Sequence, residues 1–131
     1  MPVAHIEILG SQKPDINGTY GIIGDSAQIV ENMDEAISFY RDLLGLQLMG
    51  DYHLPQGLVD EVLALPQGTD VRIAFLNSQG STAPILELLE FSRKGKSLNH
   101  VAQPPNLGLF MISMETDDLT ELIKKSKIKI L

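Results

Sequence analysis

The stretch NMDEAISFYRDLLGL, residues 32–46, decides the fold. Asn32 can accept a hydrogen bond from the first helical turn, and Glu35 stands three residues later, the spacing of a capping box. Met33, Ala36, Ile37, Tyr40, Leu43 and Leu44 recur at helical spacing and make one apolar stripe. Gly45 follows the last turn, where a left-handed residue closes a helix well. The pattern predicts a helix over residues 33–44 with one face committed to packing.

A second copy of this punctuation lies near the end of the chain. In METDDLTELIKKSK, residues 114–127, Asp118 and Glu121 form another capping box, and Leu119, Leu122 and Ile123 supply the stripe. Each helix follows a strand-like run: SAQIV at 26–30 and LGLFMISM at 107–114. Placing Asn32 on Asp118 gives an offset of 86 residues, which also puts Glu35 on Glu121 and Ile37 on Ile123. Between the helices the pattern is that of strands: LQLMGDYHL (46–54), VRIAFLN (71–77) and ILELLEF (85–91), separated by the turn signals QGTD and SQGSTAP. SRKGKSLNHVAQPPN, residues 92–106, is polar with two prolines and reads as a connecting loop. At the N-terminus VAHIEIL (3–9) alternates as a strand would, and GSQKPDINGTYG reads as a linker. Asn17-Gly18-Thr19 matches a glycosylation acceptor and reads as a turn.

The expected organisation is therefore one domain over residues 1–131: an N-terminal strand and linker (1–20), a βαβββ module (21–91), a loop (92–106) and a partial second module (107–131). A chain of 131 residues with 44% hydrophobic content can bury a core without staples. It has no cysteine, so neither disulfides nor thiolate chemistry are open to it. A net charge of −7 disfavours phosphate backbones, so nucleic acid is not expected as a partner. Lys124, Lys125, Lys127 and Lys129 answer a helix C-terminus. No apolar run approaches the roughly 20 residues of a membrane span, and no signal segment is seen, so the expected compartment is the cytoplasm. His5, His53 and His100 show no ligand spacing, and no nucleophile signature, phosphate loop or dinucleotide fingerprint is present.

The helix, with Phe39, Tyr40, Leu44 and Gly45, joined to the strand ILELLEF at this distance, resembles the vicinal oxygen chelate superfamily of glyoxalases, bleomycin-resistance proteins and extradiol dioxygenases. VLALPQGTDVRIAFLN, residues 62–77, resembles the approach to the fourth strand in a glyoxalase-like branch. The resemblance spans about residues 25–125. It implies an α+β fold in which βαβββ modules curl a mixed sheet into a cupped half-barrel that binds a small molecule. In the enzymes of the family the cup also holds a divalent metal, through a His on the first strand, a Glu on the fourth, and a His and a Glu from the second module.

Glu87 falls on the fourth-strand Glu. A carboxylate inside an apolar strand calls for a cation or a donor. The alternatives are an exposed strand face or a pair with Arg72. Glu90 has the opposite sense and reads as solvated or strand-terminal. Counting back from Phe39 puts Asp25 on the first-strand His position; aspartate can hold a hard cation, though a turn after Gly24 would favour it too. The equivalent position of the second module, by the offset of 86, is Met111, a poor ligand for hard or borderline metals. The resemblance thus implies a pocket of Glu87, Asp25, Met111, Leu89 and Ala27, with Glu87 and Asp25 as the candidate ligands of a divalent ion.

The family pattern also implies about three further strands after the second helix, whereas this sequence stops at KIKIL. The open edge could be covered by VAHIEIL, bringing Glu7 near the cup, or by a second copy in a homodimer; the chain could also be a fragment. Two functions remain open. One is a module binding a small hydrophobic or cationic molecule without a complete metal site, which the changed ligand positions favour. The other is a metal-dependent lyase, isomerase or dioxygenase.

Overall fold

The computed structural model describes residues 24–81, 85–98, 101, 104–106 and 112–126. Within them Asn32 caps the first helix as its spacing requires. Its backbone is extended, and its side chain accepts the Glu35 amide at 3.1 Å. Helix α1 runs over Met33–Ile37 and then widens into π-helical turns over Ser38–Leu43. The Leu44 amide donates to the Phe39 carbonyl, five residues back, at 3.1 Å. The expected helix over 33–44 is thus present nearly to its end, but regular only in its first half. Gly45 closes it at φ 77°, the left-handed conformation that glycine adopts without steric cost.

Four strands surround this helix in sequence: β1 Asp25–Ile29, β2 Gln47–Leu54, β3 Val71–Asn77 and β4 Ile85–Phe91. They make a mixed sheet in the order β1-β4-β3-β2. β1 pairs with β4 in parallel, and the other two pairs are antiparallel. The chain leaves β1 at one edge, crosses the sheet as α1 and its π turns, and returns as β2 at the other edge. This is the βαβββ order read from the sequence. A bulge between Leu48 and Gly50 resets β2, so that Gly50 rather than Met49 faces Phe75.

Strand alternation divides the sheet into two apolar faces. On one, Met33 and Ile37 pack on Ala74, Leu76, Leu86 and Leu88, with Tyr40, Leu44 and Leu48 at the margin. Tyr40 Oη donates to Gln28 Oε1 at 2.6 Å. Burial raises the Tyr40 pKa, and the bond to Gln28 opposes it in part. Glu90 also lies on this face, where its Oε2 accepts the Met33 amide at 3.2 Å; it complements the positive end of the helix rather than meeting solvent alone. Arg72 spans the same end, reaching Asp51 at 2.8 Å and Asp34 at 2.9 Å.

A second cluster of Val71, Ile73 and Leu89 covers the opposite face, joined by Leu54, Phe75 and Phe91 and by Val59 and Leu65 from the segment linking β2 to β3. Within that segment Ala64 holds φ 52°. A left-handed alanine costs about 1–2 kcal/mol, more than the roughly 0.4–1 kcal/mol that the added chain entropy of glycine takes away. Ala64→Gly is therefore expected to raise stability by about 0.5–1 kcal/mol in urea melts. A loss of stability would show that the methyl group packs usefully where it is.

Helix α2, Leu119–Ser126, begins where its sequence says, with Asp118 Oδ1 accepting the Glu121 amide at 2.8 Å. Leu122 and Ile123 are partly buried, but Leu119, expected in the stripe, is 57% exposed. Residues 112–116 carry no regular secondary structure, and the rest of the run expected as a strand over 107–114 lies outside the described residues. So do VAHIEIL, with His5 and Glu7, and also His100, Met111 and the terminal KIKIL.

Candidate functional site

Side chains that alternate away from α1 form the face on which the candidate residues stand. The register sets them in rows. Ala27, Glu87, Phe75 and Gly50 lie side by side across the four strands. Ile29, Leu89, Ile73 and Tyr52 make the next row, followed by Phe91, Val71 and Leu54. Asp25 pairs with Ile85 at the other end. Four of the five residues read as pocket-forming, Asp25, Ala27, Glu87 and Leu89, therefore share this face; Met111 lies outside the described residues.

Glu87 is partly buried between apolar neighbours on two strands. Arg72 cannot be its partner on this face, because alternation and register set Arg72 opposite Glu90, on the helix side. Asp25 stands one strand across and two residues along from Glu87, roughly 8 Å between Cα atoms for ordinary sheet spacing. His53 pairs with Arg72 and points to the helix side of β2, away from this set. The polar end of the face carries one more buried group. Asn77 alternates with Phe75, is 5% exposed, and donates through Nδ2 to the Ser81 carbonyl. Its Oδ1 is buried with no hydrogen-bond partner among the described residues.

Three contributors to the face were not singled out from sequence. Tyr52 and Phe75 touch as tilted rings 6.5 Å apart; their shared face depends on the bulge in β2, which no residue pattern announces. Asn77 reads as a strand-ending residue before a turn. The segment 55–70 brings Val59 and Leu65, whose apolar spacing in LVDEVLAL was legible but whose destination was not. A cleft of about 810 Å³ opens at the end of the sheet beside α2, lined by Leu44, Leu76, Leu86, Met114 and Leu122 and meeting the face at Asn77. Neither Glu87 nor Asp25 borders it.

Among the described residues no group of three or more His, Cys, Asp or Glu side chains is placed to hold a metal ion. The two carboxylates of this face are hard oxygen donors, but fewer than the three protein ligands usual for a catalytic metal. A metal here would need donors from residues outside the described ones or from a second chain.

A family model described as Glyoxalase/Bleomycin resistance protein/Dioxygenase superfamily matches residues 22–131. The chain belongs to this superfamily. Among solved structures it is similar to a glyoxalase family protein from Bacillus cereus, with a TM-score of 0.69 and 23% identity over 82% of this chain and 71% of that one. That likeness shows the shared α+β fold. No curated protein matches. Among the described residues no helix is long and apolar enough to cross a membrane.

Proposed function

We propose that this chain binds a small molecule on the sheet face turned away from α1, with an apolar body against Ala27, Phe75 and the margin of Leu89 and a cationic or hydroxylated group toward Glu87 and Asp25. The observation that carries the reading is the register, in which two carboxylates share a face with an apolar cluster. A carboxylate beside an apolar surface can meet a cationic or hydroxylated group through charge-assisted hydrogen bonds. The superfamily's bleomycin-resistance branch suits the same reading, since a net charge of −7 attracts a cationic ligand. The second reading, a metal-dependent lyase, isomerase or dioxygenase, would use Glu87 and Asp25 as oxygen ligands for a divalent ion.

The two readings part on simple measurements. Titration with rhodamine 6G, a cationic aromatic dye, should give saturable binding that weakens about tenfold in Glu87→Gln, as expected for a charge-assisted contact. Equal affinity in the variant would remove Glu87 from the site. Stoichiometric Mn²⁺ or Zn²⁺ binding to the purified protein, lost in Glu87→Gln, would favour the enzyme.

We further propose a cytoplasmic homodimer. Among the described residues β1 pairs on one side, with β4, and Ile29 in it is 70% exposed. An open strand edge of this kind favours a second chain. Light scattering at micromolar concentration should give twice the mass of one chain; a monomer would leave the edge to residues 3–9.

A further inference from the structure

The segment between β2 and β3, residues 55–70, is closed by contacts that meet at one glycine. The Gly68 amide donates to Asp60 Oδ2 at 2.7 Å, and the Gly68 carbonyl accepts Gln56 Nε2 at 2.9 Å. The Leu65 amide donates to the Asp60 carbonyl at 2.8 Å, and Thr69 Oγ1 to the Pro66 carbonyl at 2.6 Å. Asp60 and Thr69 are both buried, at 8% and 1% exposure. Gly57, Ala64 and Gly68 all take positive φ, so the path between them is one particular turn sequence. The closed segment places Val59 and Leu65 against Val71, Ile73 and Leu89, at the apolar end of the candidate face. Its outer side carries Leu58 and Val62, 61% and 53% exposed, which take no part in that packing.

Asp60 closes this turn through one carboxylate oxygen. Its Oδ1 is buried without a hydrogen-bond partner among the described residues. The hydrogen bond from the Gly68 amide to Asp60 Oδ2 at 2.7 Å fixes the return of the chain to β3. We propose that residues 55–70 are the end wall of the ligand face and that Asp60 is its positioning residue, setting how large an apolar group the face accepts. The inference rests on the reading of that face as the ligand site. Ligand size is then set by where Val59 and Leu65 stand. The polar anchors at the other end are left untouched.

Nile red, a neutral apolar dye, tests this in the full chain together with hydrogen exchange. In Asp60→Ala, exchange in residues 55–70 should rise about tenfold while β3 and β4 keep their protection. The Kd for Nile red should change by about fivefold or more, since the wall that bounds the dye is released. Asp60→Asn keeps a carbonyl oxygen for the Gly68 amide and should recover most of both properties. Should Asp60→Ala fail to fold, Gln56→Ala opens the exposed half of the closure and should show the same pair of changes in smaller measure. Faster exchange with an unchanged dye affinity would overturn the inference, because the segment would then be mobile without bounding the site. Ala27→Trp separates this from the underlying reading: it fills the face far from residues 55–70 and should block the dye. Undiminished binding in Ala27→Trp, or none in the wild type, would contradict the ligand face itself and the wall with it.

Discussion

Leu88→Ala should lower the unfolding free energy by about 3–5 kcal/mol. Leu88 is fully buried in β4, a central strand, and packs in the cluster that joins α1 to the sheet. Truncation there loses transfer free energy and leaves a cavity. Relief by collapse is limited, because the helix is held over the sheet at its first turn by Glu90. The loss is a large part of the roughly 5–15 kcal/mol that keeps a domain folded. Leu119→Ala, at a residue 57% exposed, should stay within about 0.5 kcal/mol. Urea melts with unchanged m-values measure both. A loss under about 1 kcal/mol for Leu88→Ala would mean that the helix does not cover this face.

Arg72→Met should cost about 1–3 kcal/mol. Methionine keeps the apolar stem and removes the guanidinium. Arg72 Nε and Nη2 donate to the two oxygens of Asp51 at 2.9 and 2.8 Å, and Nη2 also reaches Asp34. The Asp51 side chain is 29% exposed, so it loses a partner in a partly dry setting, whereas Asp34, 81% exposed, loses little. The hydrogen bond from Arg72 holds the Asp51 carboxyl below the usual range, against a smaller opposing effect of burial. The same bond raises the guanidinium, with burial opposing and Asp34 adding. A depressed carboxyl stabilises the fold fully above its unfolded pKa of about 3.9 and progressively less as pH falls through the folded value. Stability should therefore drop below about pH 4, with a shallower drop in Arg72→Met. At the other limb the raised Tyr40 phenol favours the protonated fold, so stability should fall as pH rises past about 10. An unchanged acid limb in Arg72→Met would mean that the pair with Asp51 does not form in solution.

Much of this was legible because local chemistry and tertiary packing agree. Asn32, the apolar stripe from Met33 and Gly45 each act as their spacing foretold, and the three strands between the helices fall where turn residues bound them. The π turns over Ser38–Leu43 were not legible, because propensity does not distinguish a hydrogen bond to the fifth residue back from one to the fourth. Glu87 could be given a face from alternation alone. Glu90 could not be given its role, since the amide of Met33 is 57 residues away in sequence. Tyr52 could not be assigned a side either, because the bulge after Leu48 shifts the alternation of β2 by one residue. The segment 55–70 was read only for its resemblance and its turn residues; that Asp60 closes it on Gly68 depends on contacts that no period encodes.

The most direct measurement is an amide chemical-shift map of the ¹⁵N-labelled protein titrated with rhodamine 6G. The expected result is a set of shifts concentrated on Ala27, Ile29, Phe75, Glu87 and Leu89, the rows of the face turned away from α1, with a midpoint at about tenfold more dye in Glu87→Gln. Shifts confined instead to Leu44, Leu76, Met114 and Leu122, around the cleft beside α2, would contradict the assignment of Glu87 and its face as the ligand site.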